Sequence, residues 1–418
     1  MQASPQSDFP RAILHVDGDS FFASCEVASR PWLQGKPVIT GLERGIASSM
    51  SYEAKARGVT RAMRLSQIRK LCPDAVILSS DYEAYRIYAR RMYNIVRRYA
   101  NEVEEYSIDE CFADITGMDR ELDMPYADIA AAIKKDLHDS LGLSFSVGLS
   151  VNKVLAKLAS KKNKPSGLTV ISMDQINMHL KDVAIGKVWG IGSSTTIAMK
   201  KRGIVTALDL AHQTPAWVAE HFDRPVMEIY QELRGAHVMQ LASGPGEAPH
   251  SIQRTQTFKP VSKDPDVVFS ELSRNVENAA HRLRGQGLFA GRIYFFLKTQ
   301  EFEYSGAEIK LARAVSTPTE ILAEIKKRFA SAFKPGLVYR ATGVTLSELR
   351  PSETRSDDLF GGSVKSDKAE KIFADVDRLT AKYGENAVFL GSSLKAVKSE
   401  GKHVSRHKFG LAFLGEVK

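Results

Sequence analysis

An apolar run, Ala12-Ile-Leu-His-Val16, stops without transition on Asp17-Gly-Asp19. No other feature limits the fold of this chain so tightly. A β-branched, bulky run of that length reads as a buried strand, and this one ends in carboxylates. The pattern recurs near residue 109, where Val103-Glu-Glu-Tyr-Ser-Ile108 and Cys111-Phe-Ala-Asp-Ile115 read as two strands joined at Asp109-Glu110. Neighbouring strands lie about 4.8 Å apart, so carboxylates at their ends can converge on cations roughly 3.5–4 Å apart. Such a cluster repels itself unless metal neutralises it, and hard oxygen ligands with open positions suit Mg²⁺ bridging phosphates. Each acidic pair taken alone also reads as an ordinary turn. Two of them ending apolar runs in one sheet favour metal-assisted phosphoryl chemistry.

The rest of the chain builds outward from these strands. Ser20–Val27 reads as a helix opening on a serine cap. Short strand and helix signals between 31 and 79 form a small subdomain. Asp81–Ala100 has the periodicity of a long amphipathic helix with an arginine face. A helix over 127–141, a strand over 144–150, a lysine-rich helix over 152–162 and a strand over 168–171 complete a βαββαβ pattern and an α+β sheet. Residues 175–240 look all-helical, and the Gly- and Pro-rich stretch 241–250 reads as a linker. A second, smaller α+β domain follows over 252–348, with 16 basic and 10 acidic residues between 252 and 350. A polar stretch then leads to a helix over 369–383 and a strand-like run, Ala387-Val-Phe-Leu390. The whole chain carries 58 Lys+Arg against 49 Asp+Glu, a net +9 with a pI near 9.2, which suits a polyanionic partner. Three scattered cysteines argue against a disulfide framework or zinc knuckle and for a reducing cytoplasm. No secretory signal or membrane-length apolar run is expected.

Six segments carry a resemblance. Val16-Asp-Gly-Asp-Ser-Phe-Phe-Ala-Ser-Cys-Glu26, Ser51-Tyr-Glu-Ala-Lys-Ala-Arg-Gly-Val59, Tyr106-Ser-Ile-Asp-Glu-Cys-Phe-Ala-Asp114, Ser146-Val-Gly-Leu-Ser-Val-Asn-Lys-Val-Leu-Ala-Lys157, Lys164-Pro-Ser-Gly167 and Val188-Trp-Gly-Ile-Gly192 stand in this order. Together they resemble the successive motifs of the Y-family, translesion DNA polymerases. The likeness spans roughly residues 11–350 and extends to both the polymerase IV type and the polymerase V catalytic subunit. It implies a right-hand polymerase: a ferredoxin-like palm (11–30 and 80–174), small fingers (31–79), a helical thumb with a helix-hairpin-helix (175–240), a linker (241–250) and a little finger (251–350). Residues 351–418 would be an extension for a clamp or other partner.

The resemblance also implies roles. Asp17 and Asp109 would hold two Mg²⁺ ions, the Gly18 carbonyl would complete one site, and Glu110 would bind the catalytic metal near the primer 3′-hydroxyl. Asp19 is expected to face away from Asp17 in a structural role. Phe22 stands at the steric gate, where a ring under the sugar leaves no room for a 2′-hydroxyl, while Phe21 would face the palm core beside the dNTP. Ser49, Tyr52, Lys55 and Lys164 fall on dNTP positions. Lys55 departs from the usual Arg, losing a bidentate fork, and Arg64 stands where relatives commonly have Pro. Gly190, Gly192 and Ser193 would bring backbone N–H groups to a DNA phosphate. Asp357-Asp-Leu359-Phe360 is similar to the Leu-Phe peptides that bind a sliding clamp.

The implied activity is template-directed, Mg²⁺-dependent and error-prone DNA synthesis by a monomer on primer-template DNA and dNTP. Small fingers, small side chains (Ala47, Ser48, Ala62) and no further acidic cluster for proofreading imply low fidelity. A palm-fold nucleotide cyclase and a catalytically inactive DNA-binding scaffold are the alternatives.

Overall fold

Alternation along the first strand decides the architecture of the catalytic sheet. The computed structural model describes residues 9–242, 249–351, 362–384 and 387–400. They divide into two units, one up to residue 242 and one from residue 249 to residue 400. In the first unit, β1 (Ile13–Gly18) is the middle strand of a five-stranded sheet. The small region that follows holds β2 (Val38–Thr40), β3 (Ser49–Met50) and β4 (Val76–Leu78). The large sheet is completed by β5 (Glu102–Ser107), β6 (Glu110–Asp114), β7 (Phe145–Ser150) and β8 (Leu168–Val170), in the order β5-β6-β1-β7-β8. β1 runs antiparallel to both its neighbours, and β7 is parallel to β8.

Because strand side chains alternate between faces, β1 serves two layers. Leu14 and Val16 enter a core with Tyr85, Tyr88 and Met92 of the helix Tyr82–Val96 and Ile129 and Ile133 of the helix Tyr126–Leu141. Each such side chain is worth roughly 1.5–3 kcal/mol when fully buried. Ile13 packs the other way, with Phe112 and Ala156. His15 and Asp17 share that second face, which is covered by the helix Lys153–Lys162.

That helix approaches the sheet closely because β7 carries Gly148. A Cβ there would lie 2.1 Å from the Ala156 carbonyl oxygen and 2.3 Å from the Ser160 nitrogen. The helix start is fixed by Asn152, whose side chain accepts from Leu155 N–H at 3.0 Å. Fully buried Glu232 accepts from Val154 N–H at 2.9 Å, a carboxylate at a helix N-terminus. Glu232 belongs to the helix Arg224–Leu233, one of several packed around Leu155, Leu158, Ile191 and Leu210.

Strands β3-β2-β4 form their own three-stranded sheet, with Ile39, Met50, Ala54 and Ile68 as its core. The helix Phe21–Ser29 follows β1, but not by the expected serine cap. Ser20 takes a left-handed conformation with φ of 49° and makes no cap hydrogen bond. Its hydroxyl instead accepts from Lys55 Nζ at 2.8 Å.

The second unit is a four-stranded antiparallel sheet of β9 (Ser251–Ser262), β10 (Leu288–Thr299), β11 (Tyr304–Val315) and β12 (Tyr339–Pro351), in the order β11-β10-β12-β9. Ile293, Phe295 and Leu297 pack under the helices Pro265–Gly285 and Pro318–Ala332. The C-terminal helix starts earlier than its periodicity indicated, at Gly362, and ends at Tyr383. Residues 387–390 form no strand. They lead into a 3-10 turn and a short helix that pack on Pro265–Gly285, with Leu390 N–H donating to Glu277 at 3.1 Å and Ala396 N–H to Ser270 at 3.0 Å. A single apolar run with no neighbouring strand edge finds its partner in a helix face.

Candidate active site

The acidic ends of β1 and β6 meet because the antiparallel register pairs Asp17 with Glu110. One ligand atom from each of His15, Asp17 and Glu110 lies within 4.8 Å of the others. Burial pushes the Asp17 carboxyl up to about 6, with Lys164 opposing and the charges of Glu110 and Asp109 adding to the rise. Burial works the same way on Glu110, but hydrogen bonds from His15 and Lys157 outweigh it and hold that acid near 2. His15 is fully buried, which lowers its pKa to about 4. It is therefore neutral at pH 7, and Lys157 supplies the positive charge beside Glu110.

Asp109 is at the turn as expected, but its carboxylate is not part of the three-residue group. Its Oδ1 accepts from Ser107 Oγ at 2.5 Å, and its carbonyl accepts from Gly18 N–H at 2.8 Å. Asp19 is fully buried and accepts from Ser146 Oγ at 2.8 Å and Ser166 N–H at 2.7 Å. It does not turn its back on Asp17: Lys164 Nζ bonds Asp17 and lies 3.6 Å from Asp19. The chain turns at Gly18–Asp19 instead of continuing the strict alternation.

The donor set fits a hard divalent cation. Asp17 and Glu110 each offer carboxylate oxygens, and in both cases a lysine ammonium supplies the neighbouring positive charge. Oxygen donors of this kind favour Mg²⁺ over softer metals.

Above this cluster, Phe21 is buried in the core and Phe22 is only partly covered. Phe22 stacks on Tyr85 with ring centroids 4.5 Å apart and planes at 10°. Tyr52 and Lys55 come from the helix Tyr52–Ala56. Lys55 Nζ lies 3.9 Å from the Tyr52 ring centroid, and burial, then Lys164, lowers its pKa. Burial and the carboxylates of Asp19 and Asp17 push the Tyr52 phenol up to about 12. Ser49 Oγ donates to the Ser20 carbonyl at 3.2 Å, tying β3 to the end of β1. Lys55, Tyr52, Ser20 and Lys164 thus gather around the carboxylates of β1.

Gly190 has φ of +87°, and a Cβ there would lie 2.6 Å from Ile229 Cδ1. Gly192 precedes the exposed first turn of the helix Ser193–Lys200. Leu359 and Phe360 lie outside the described residues.

Sequence reasoning missed His15, Lys157 and Ser160. The available signals were the two-residue step from His15 to Asp17 and the four-residue spacing of Lys153, Lys157 and Lys161 on one helix face. Lys153 pairs with Glu104, both buried, at 2.6 Å; Lys157 pairs with Glu110.

Residues 16–161 match the impB/mucB/samB family, and residues 249–359 match the C-terminal domain of that family. DNA polymerase IV from Staphylococcus aureus strain JH9 is 33% identical over 353 residues, 84% of this chain and 98% of that protein; the strain Mu3 protein matches over the same shares. Among solved structures, a Y-family DNA polymerase chimera of Dbh and Dpo4 covers 82% of this chain and all of its own, at a TM-score of 0.69 and 20% identity. The insertion ternary complex of Dbh DNA polymerase has the same coverage and identity, at a TM-score of 0.51. These two show a shared fold, an α+β chain with a sheet palm and a separate C-terminal sheet domain.

Proposed function

Because this chain belongs to the impB/mucB/samB family, whose relatives above are DNA polymerases IV, we propose that its acidic site extends DNA primers in translesion synthesis. The protein is a DNA-directed DNA polymerase that binds primer-template DNA and dNTP and uses divalent metal. The observation that carries the reading is the pairing of Asp17 with Glu110 across β1 and β6, flanked by Lys164 and Lys157.

Asp17, Glu110 and the Gly18 carbonyl would hold two Mg²⁺ ions together with Asp109, whose carboxylate would exchange its Ser107 hydrogen bond for the metal. When bound, that pair lowers the pKa of the primer 3′-hydroxyl and stabilises charge on the reacting phosphate and leaving pyrophosphate. Lys164 leaves Asp17 for the triphosphate, joined by Tyr52 and Lys55; Phe21 and Ser49 shape the pocket floor. Phe22 lies under the sugar and excludes a 2′-hydroxyl. Gly190, Gly192 and Ser193 offer N–H groups to a DNA phosphate, and the basic surface of residues 251–350 adds salt-sensitive backbone contacts. The large sheet is the palm (11–30 and 80–174), the three-stranded sheet belongs to the fingers (31–79), residues 175–240 are the thumb and 251–350 the little finger.

Small residues over the nascent pair support a mutator activity, and a Leu359-Phe360 peptide supports binding to a sliding clamp by a monomer. Three buried free cysteines support work in a reducing cytoplasm. No helix among the described residues is long and apolar enough to cross a membrane. A cyclase or inactive scaffold is not favoured, since the family match covers both the acidic half and the basic C-terminal domain.

Primer extension with Mg²⁺ on undamaged and lesion-bearing templates tests the reading. The wild-type chain should extend both, and Asp109→Ala should lose at least about 100-fold in rate. Extension that survives in Asp109→Ala would overturn the metal assignment.

A further inference from the structure

Two donors reach Glu110, and both end on the same oxygen. His15 Nε2 lies 3.0 Å from Oε2, and Lys157 Nζ is hydrogen-bonded to that same Oε2. Neither donor is a loose surface group. His15 is fully buried and Lys157 nearly so. His15 Nδ1 lies 2.7 Å from Ser160 Oγ, which is buried on the same helix as Lys157. Ionised Glu110 can only accept, so the neutral ring carries its proton on Nε2, and Nδ1 accepts from the Ser160 hydroxyl, for which the Lys157 carbonyl oxygen at 3.0 Å is a second acceptor. The Lys157 ammonium is held in turn by rings, 4.2 Å from the Tyr106 centroid and 5.2 Å from Trp189. Trp189 Nε1 donates to Tyr106 Oη at 3.0 Å, joining those two rings.

We propose that His15 and Lys157 are positioning residues that restrain Glu110 through Oε2 and so present Oε1 alone to the divalent ion at the primer terminus. This rests on the reading of Glu110 as a metal ligand given above. A carboxylate free to rotate can chelate one ion with both oxygens and fill a position that the primer hydroxyl needs. A carboxylate held by one oxygen leaves that position open. The restraint thus exchanges tight metal binding for a site that can receive substrate.

The full-length chain and its Lys157→Met, Lys157→Arg and Ser160→Ala variants test this through Mn²⁺ binding followed by electron paramagnetic resonance, set beside steady-state extension and thermal melting. For Lys157→Met the expected result is a split. The Mn²⁺ dissociation constant falls about 3- to 10-fold while kcat falls about 10- to 100-fold, with the dNTP KM within about twofold of wild type. Lys157→Arg retains a charged donor and should recover wild-type values. Ser160→Ala leaves both charges in place and should move the two quantities in the same directions by a smaller factor.

A merely structural role predicts something else: weaker Mn²⁺ binding and lower kcat together, tracking a lower melting temperature. That pattern would overturn the proposal, as would unchanged Mn²⁺ affinity and kcat in Lys157→Met. If Lys157→Met does not fold, Ser160→Ala decides, and no change in its Mn²⁺ affinity and kcat rejects the restraint. Failure of the wild-type chain to extend any primer would reject the polymerase reading, while the Mn²⁺ titrations still report on Glu110.

Discussion

Phe21 and Phe22 are consecutive and chemically identical, yet the helix they open sends them to different surroundings. Phe21 is buried, whereas Phe22 rests on Tyr85 with part of its surface left open. If Phe22 lies under the sugar, Phe22→Ala should raise ribonucleotide insertion relative to deoxyribonucleotide by at least about 10-fold, since a steric clash is being removed. Single-nucleotide insertion kinetics with dNTP and rNTP would show it, and unchanged sugar selectivity would reject the role. A second expectation concerns protons. Asp17 has its folded pKa raised to about 6 from 3.8, so the folded protein takes up a proton there before the unfolded chain does. This group therefore costs stability above pH 6 and ceases to do so as the pH falls toward 3.8; Glu110, held near 2, has the opposite sign and loses its contribution below about 4.5. A carboxyl NMR titration of the metal-free protein should find the Asp17 midpoint near 6 and move it down when Mg²⁺ is added. A midpoint near 4 in metal-free protein would contradict the burial argument. The acids at 17 and 110 were legible because they end apolar runs. Lys157 and His15 were not, because a lysine-rich helix reads as solvated until its acidic partner, 47 residues away for Lys157, is known to face it.

At the scale of elements, the helix Lys153–Lys162 depends on the absence of a single carbon. The Ala156 carbonyl and Ser160 nitrogen occupy the space a side chain at Gly148 would need, and both are backbone atoms that cannot rotate aside. Gly148→Ala should destabilise the protein by about 1–3 kcal/mol through overpacking. It should also slow extension, because Lys157 and Ser160 ride on the displaced helix. Urea denaturation and primer extension on the same preparation measure both, and wild-type stability would show that the helix can shift without cost. Apolar runs gave β1 and β6, and short alternation gave β7, since all three strands are buried between two packed layers. Periodicity could not give the conformation of Ser20, whose hydroxyl is engaged by Lys55 from a separate helix. Nor could it distinguish Ala387–Leu390 from a strand, because four apolar residues carry too little period to tell a sheet edge from a helix face.

Across the whole molecule, the two halves were legible from composition: an acidic motif series followed, past a Gly- and Pro-rich stretch, by a basic α+β repeat. The anchoring of the helix Gly362–Tyr383 and of residues 387–400 was less so. It depends on paired polar contacts, such as Asp377 with Arg284 and Ser393 with Ser273, which leave no pattern along the sequence. The same kind of long-range pairing governs the acidic strands, where Lys153, Lys157 and Lys164 each meet a carboxylate. A sheet that supplies its own ammonium groups need not wait for a mineral ion before it closes. Folding and loading are then separate events, so EDTA should abolish extension while leaving the melting temperature within about 2 °C of the untreated protein, in contrast to domains that unfold when stripped of metal. A fall of 10 °C or more on calorimetry would contradict that independence. If it holds, the enzyme can be stored fully assembled and inert beside its DNA and dNTP, and restoring the divalent ion would switch it on.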